Sequence, residues 1–183
     1  MSEFRDLYLE DLRRYRGGSI ELTVKRLLYH FRRAQTCKNS ILQRYHRCLL
    51  RVWRGRRGID FSWRTEIGRG LYLGHAYNIT IGPNVRIGEY CNLHKGATLG
   101  KTIRGERAGS PIIGNRVWIG INATVVGGIT IGDDVLIAPG AYVNFDVPNH
   151  SVVIGNPGVI HHKDNATEGY IIVPSESASV AKL

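Results

Sequence analysis

The stretch Ile113–Val143, IGNRVWIGINATVVGGITIGDDVLIAPGAYV, places an aliphatic residue at every sixth position: Ile113, Ile119, Val125, Ile131, Ile137 and Val143. Four positions after each comes a second apolar or small residue, as at Val117, Ala123, Ile129, Val135 and Ala141. A strand alternates every two residues and a helix repeats every 3.6, so a period of six requires another arrangement. A short extended side followed by a corner satisfies it. Three such sides close a coil of about 18 residues, and coils stack as parallel strands with both apolar positions turned inward. No coil has a core of its own, so stability comes from stacking.

The same phase runs upstream through Ile81, Ile87, Leu93 and Leu99, with Val85, Cys91 and Ala97 as partners. Ile67, Leu73 and Ile79 keep the step before a two-residue insertion. The expected fold is mainly β, a parallel β-helix of about five coils between Phe61 and Pro148. Between Leu99 and Ile113 the spacing is fourteen residues where six would serve. Residues 101–111, KTIRGERAGSP, are therefore expected to leave the coil as a basic, glycine-rich loop. A loop that interrupts a regular solenoid is a candidate functional element.

Ahead of the repeat, residues 1–58 read as a basic helical segment. Ser19 is a candidate cap for a helix with Ile20, Val24, Leu27, Leu28 and Phe31 on one face. Asn39 or Ser40 is a candidate cap for another with Ile41, Leu42, Tyr45, Leu49, Val52 and Trp53, and arginines fill the opposite faces. Residues 1–64 hold 16 Lys/Arg against 6 Asp/Glu, whereas residues 65–183 hold 9 of each, so this segment carries the whole net charge of +10. The basic surface reads either as solvated or as a contact for an anionic membrane or an acidic glycan. No nucleic-acid motif accompanies it. The expected domains are 1–58, the β-helix over 59–163, and a mobile tail over 164–183.

Composition narrows the classes further. At 183 residues with 43% hydrophobic side chains the chain can bury one core. No apolar run reaches membrane-spanning length, and the charged N-terminus does not read as a signal peptide. Three cysteines without metal-type spacing argue against a disulfide framework or a zinc site. The expected compartment is the cytoplasm, with the inner face of the membrane as a variant of it.

For chemistry, an imidazole is the side chain best suited to take a hydroxyl proton near neutral pH, and a carboxylate on its second nitrogen would orient it. Of seven histidines only His75 and His94 lie within the coils, both near hexad corners.

The segment GIDFSWRTEIGRGLYLGHA (residues 58–76) resembles the serine acetyltransferases, among the hexapeptide-repeat acyltransferases, where a GID segment precedes a DHA segment at this spacing. The resemblance covers about 100 positions. It implies a left-handed coil, a homotrimer, and direct transfer from acetyl-CoA with His75 as general base and Asp60 as its orienting partner. No metal is implied. The half NRVWIGINATVVGGITIGDDVLIAPGAYV…DVPNHSVVIGNPG resembles the family's donor-binding region. It implies CoA in a groove between subunits, contacted at Ile121, Pro139 and Asn144, with Lys163 toward a phosphate. A backbone N–H near Ile121 is the candidate oxyanion donor. The expected acceptor-binding residues are His94 and the loop residues Lys101, Arg104 and Ser110.

Three positions depart from the serine family. The Asp before its histidine is Gly74 here, the Glu after its GIVVG-type segment is Pro83, and its Arg-His-Pro loop reads Gly109-Ser110-Pro111. The ion partners for an amino acid's ammonium and carboxylate are therefore absent. An uncharged hydroxyl suits such a site, so a sugar hydroxyl in capsular or exopolysaccharide biosynthesis is the leading expectation. The chain also resembles the compact acetyltransferases of such gene clusters, where the basic segment would hold an acidic glycan or a lipid-diphosphate-linked precursor. Serine O-acetylation is the alternative. A γ-carbonic-anhydrase-like zinc enzyme, needing three converging histidines, and a non-catalytic scaffold are the outside readings.

Overall fold

The computed structural model describes residues 3–15 and 20–173. Three helices lead, α1 (Glu3–Arg13), α2 (Leu22–Thr36) and α3 (Ser40–Gly55). Short strands follow: β1 (Glu66–Ile67), β2 (Tyr72–Gly74), β3 (Thr80–Ile81), β4 (Arg86–Ile87), β5 (Asn92–His94), β6 (Thr98–Gly100), β7 (Ile112–Ile113) and β8 (Val117–Ile119). The series ends with β9 (Thr124–Val126), β10 (Thr130–Ile131), β11 (Val135–Ile137), β12 (Tyr142–Val143), β13 (Ser151–Ile154) and β14 (Val159–His162).

The strands form three sheets, each visited once per coil. One is ordered β1-β4-β7-β10, the next β2-β5-β8-β11-β13-β14, and the third β3-β6-β9-β12. Every neighbouring pair is parallel except β13 with β14. Ile131 pairs with Ile113 and Ile137 with Ile119, so the regular coil spans 18 residues, as the spacing implies. The hexad residues from Ile67 to Val143 are buried, and so are their partners Val85, Cys91, Ala97, Val117, Ala123, Ile129, Val135 and Ala141. Burying a large aliphatic side chain contributes about 1.5–3 kcal/mol, and here the contributions line one continuous axis.

The corners explain the other half of the repeat. His75, Asn78, Asn84, Tyr90, Arg116, Asn122 and Asp134 adopt positive φ. Asn and Asp tolerate this left-handed region best among side-chain-bearing residues. Residues 101–111 leave the coil as expected. The loop closes at its neck, where Thr102 and Gly109 exchange backbone hydrogen bonds of 2.9 and 2.8 Å. It then folds back so that Gly128 N–H donates to Arg107 O at 2.8 Å. A Cβ on Gly128 would stand 2.9 Å from Ala108 O, so this close approach needs glycine.

The helices cap the first coil. Val24, Leu27, Leu28 and Phe31 of α2 are buried in the same core, with Phe31 edge-on to Phe61 at 5.0 Å. Arg32 and Asp11, both fully buried, form a bidentate pair of 2.7 and 2.9 Å. Arg32 also donates to Ile67 O and Gly68 O, and Asp11 accepts from Leu71 N–H, so the pair ties α1 and α2 to the coil.

Two helix expectations need correction. α2 begins at Leu22 after Glu21, and Ser19 lies outside the described residues. Asn39 does cap α3, accepting from Ile41 and Leu42 N–H at 3.0 and 3.1 Å. Of the apolar face read on α3, Trp53 packs against the core, but most of that face turns outward. His46 and Leu50 are buried, whereas Ile41, Leu42, Tyr45 and Val52 are exposed. The helix is anchored through its other side because its neighbour α2 offers His30, which meets His46 with Nδ1 atoms 2.9 Å apart.

The tail also differs from expectation over its first part. Ala166 and Thr167 are buried, held by the Asp134 carboxylate, which accepts from both N–H groups at 3.0 Å and from Thr167 Oγ1 at 2.6 Å. The tail expectation for 174–183 lies outside the described residues. No helix among the described residues is long and apolar enough to cross a membrane.

Candidate active site

The register of the second sheet assembles one edge of the solenoid. Gly74 pairs with His94, Leu93 with Ile119, and Ile119 with Ile137. One step further, Lys95 N–H donates to Gly74 O, Asn122 N–H to Lys95 O, and Gly140 N–H to Ile121 O. His75, Lys95, Ile121 and Pro139 therefore stack at the same corner of successive coils, all exposed. The candidate base and two candidate donor contacts share this edge. His75 sits there with φ 47°, which turns its ring out of the coil.

His75 opens this corner, and Asp60 lies beside Thr80, where the corner ends. Asp60 bridges Thr80 at the beginning of the third sheet, with its N–H donating to Ile79 O at 2.8 Å. Its carboxylate is three-quarters exposed and accepts from Arg54 at 3.2 Å rather than from His75. A second carboxylate, Glu21, lies within electrostatic reach of His75. The buried Arg57 guanidinium binds Glu21 and Thr23 and donates to Ala76 O at 3.4 Å. Arg57 holds the Glu21 carboxyl below its usual value, and His75 adds a smaller part. Nothing in the sequence spacing pointed to Glu21, since α2 brings it in from far upstream.

His94 lies next to the corner, one residue before Lys95. It ends β5 on a sheet face, half-buried between Tyr72 and Trp118, with the Trp118 ring centroid 4.6 Å away. Its Nε2 is buried without a hydrogen-bond partner among the described residues. Burial, and then the nearby His75, push its pKa down to about 4.

The loop residues gather elsewhere. Lys101 and Ser110 line a groove of about 730 Å³ with Ser62, Arg64, Pro83 and Arg86. A smaller cavity of about 380 Å³ adjoins it through Ser62 and Pro83, and is lined by Asp60, Arg54, Arg51 and Trp63. Ser110 Oγ donates to Pro83 O at 2.6 Å, which pins the end of the loop. Arg104 is exposed in the loop and lines neither.

Asn144 follows β12, at the far end of the sheet that leaves the His75 corner. Lys163 does not join that corner within one chain. β14 doubles back antiparallel to β13, so Lys163 stands at the opposite end of the sheet, its N–H donating to His150 O at 2.8 Å. Among the described residues no cluster of three or more metal-type ligands occurs.

This architecture is a hexapeptide-repeat β-solenoid with His75 exposed on one of its outer corners. Residues 110–144 match the family described as bacterial transferase hexapeptide (six repeats). The chain resembles serine acetyltransferases more particularly. It is 37% identical over 107 residues to that of Helicobacter pylori, covering 58% of this chain and 63% of the relative. It is 33% identical over 106 residues to that of Synechococcus elongatus, covering 58% and 43%. The chain thus spans less than two thirds of the length of these relatives. Among solved structures, soybean serine acetyltransferase superposes with a TM-score of 0.73 at 25% identity, covering 86% of this chain and 69% of that one.

Proposed function

We propose that this chain is an acetyl-CoA-dependent O-acetyltransferase. The observation that carries the reading is the single edge on which His75, Ile121 and Pro139 stack. A base and a thioester must meet at one place, and this edge puts the candidate base in line with the candidate donor contacts. His75 takes the acceptor hydroxyl proton as the oxygen attacks the thioester carbonyl, and the backbone near Ile121 faces the oxygen that becomes anionic. Collapse breaks the carbon–sulfur bond, and the imidazolium returns the proton to the CoA thiolate. Asp60 or Glu21 supports the imidazolium.

An edge exposed along its whole length leaves a CoA chain half-uncovered, so the donor site is completed by a second copy in a homotrimer. A neighbouring copy also offers the route by which Asn144 and Lys163 reach the donor. Such an enzyme works where acetyl-CoA is made, in the cytoplasm.

Serine is the acceptor that the relatives favour, since those named above are serine acetyltransferases. A sugar hydroxyl is the second reading. It rests on one observation: Gly74, Pro83 and Ser110 stand where the amino-acid-binding residues are expected. Ser110 is occupied with the Pro83 carbonyl, and the ring of His94 lies over Gly74.

Thiol release from acetyl-CoA, measured separately with serine and with neutral and acidic oligosaccharides, tests both. Release with serine establishes the first reading, and release with a glycan alone the second. No release with any hydroxyl acceptor would sink the acetyltransferase assignment.

A further inference from the structure

The exposed face of α3 has a composition that the acetyltransferase reading does not use. Ile41, Leu42, Tyr45 and Val52 are 77%, 47%, 56% and 47% exposed. At 100° per residue they fall, with the half-buried Leu49, in one arc of about 120° running the length of the helix. One border of the arc carries Arg44 and Arg51. The other carries Trp53, with the guanidinium groups of Arg26 and Arg56 over its ring at 4.9 and 4.7 Å. Between Glu21 and Asp60 the sequence contains eleven Lys/Arg and no Asp or Glu. No ion pair joins Arg44, Arg51, Arg26 or Arg56 to a carboxylate among the described residues.

We infer that α3 is a docking face for an anionic lipid bilayer, lying in the plane of the interface with Ile41, Tyr45 and Val52 in the acyl boundary. Charge decides between the occupants. A second copy meeting this face about a two-fold axis would bring two borders of arginines together with no acidic residue to offset them. An anionic polysaccharide would satisfy the arginines but leave the aliphatic arc in water. A bilayer containing anionic headgroups meets both: acyl chains take the arc and headgroups take the arginines and the Trp53 ring, the pattern of interfacial helices. The opposite side of α3 borders the cavity lined by Asp60, Arg54 and Trp63. Docking would therefore hold that cavity beside the membrane surface.

The full-length protein should be sedimented with vesicles of phosphatidylcholine alone and of equal parts phosphatidylcholine and phosphatidylglycerol. The expected result is binding to the anionic vesicles only, weakened by salt. Arg44→Glu should weaken it by about five-fold or more, the worth of one basic residue near a charged surface. The pair Ile41→Glu and Val52→Glu should weaken it while leaving the thermal midpoint and the sedimentation coefficient of the free protein unchanged. Absence of binding to anionic vesicles overturns the inference, and so does binding that neither change weakens. A lower oligomer mass in the Ile41→Glu and Val52→Glu protein would show that another copy covers the face. Retention on a soluble acidic polysaccharide without vesicle binding would assign it to a glycan. Because the readout is sedimentation, failure here leaves the acetyltransferase reading standing.

Discussion

The imidazole of His94 lies against the bare Cα of Gly74, one coil below it in register. A Cβ at position 74 would stand 2.5 Å from His94 Cε1 and 3.1 Å from Cγ, so no side chain fits there while His94 keeps its place. The loss of an acidic residue before His75 and the presence of a ring at 94 are thus one packing solution. Gly74→Asp is expected to destabilise the protein by about 1–3 kcal/mol, as overpacked sites do. In a His94→Ser background the same change should cost much less. A double-mutant cycle in denaturant should give a coupling of about 0.5–3 kcal/mol for residues in contact. Strictly additive costs would show that the two positions are independent.

His75→Ala is expected to lower turnover by about 10²–10⁴, the contribution of a positioned general base. The two carboxylates near it can be separated by the same assay. If Asp60 orients the imidazole when substrates bind, Asp60→Asn lowers turnover with little change in acetyl-CoA affinity, and Glu21→Gln leaves turnover within a few-fold. The reverse ranking would move the orienting role to Glu21. Turnover of His75→Ala within a few-fold of the parent would remove the histidine from the mechanism.

The period of six was sufficient for the solenoid because the inward positions from Ile67 to Val143 keep it across all but one short insertion and one loop. The loop was legible for the same reason, as an excess of residues between Leu99 and Ile113. The α3 face was not, because periodicity reports that a helix is amphipathic without saying which partner takes the apolar side. In α3 the tertiary anchor is His46 against His30, a polar contact that hydrophobic patterning cannot register. The site was legible only as a list. Register placed His75, Ile121 and Pro139 on one edge, but nothing in the hexad spacing signals the antiparallel reversal into β14 that carries Lys163 away. The encounter of Glu21 with the His75 corner depends on where α2 docks.

Burial dominates two histidines, and both should give the protein an acid-sensitive stability. Desolvation lowers the pKa of His30 to about 4, with His46 and Arg26 adding to it, and His94 also falls to about 4. Unfolded histidine titrates near 6.5. Between these values the unfolded chain binds protons that the folded chain refuses, so stability falls as pH drops from about 6.5 to 4. His94→Phe should flatten part of this decline in thermal midpoint, and His30→Phe another part. A slope unchanged in both variants would assign the acid sensitivity to other groups.

Asp11 and Arg32 are both at 0% exposure, so removing either leaves a buried charge without its partner. Asp11→Ala is expected to cost about 3–5 kcal/mol, and to loosen α1 from the first coil because Leu71 N–H also loses its acceptor. Equilibrium unfolding measures the first and hydrogen exchange of the Leu71 amide the second. A cost under 1 kcal/mol would mean that water reaches the site.

The Asp134 carboxylate collects the Thr167 hydroxyl, two tail amides and His150 Nδ1 at 2.8 Å. Burial alone would raise its pKa, but these hydrogen bonds outweigh it and hold the carboxyl below its usual 3.8. A depressed carboxylate contributes its full stability above the unfolded value and loses it as pH falls through the folded one. The turn around Ala166 and Thr167 should therefore stay docked down to about pH 4 and release below it. Release would also expose the Trp118 ring, which Tyr170 covers edge-on at 5.3 Å. Asp134→Asn should produce the same release at neutral pH, seen as faster exchange of the Ala166 and Thr167 amides and a shift in Trp118 emission. If the Asp134→Asn protein keeps both amides protected, the tail is held by its apolar contacts and the carboxylate is incidental.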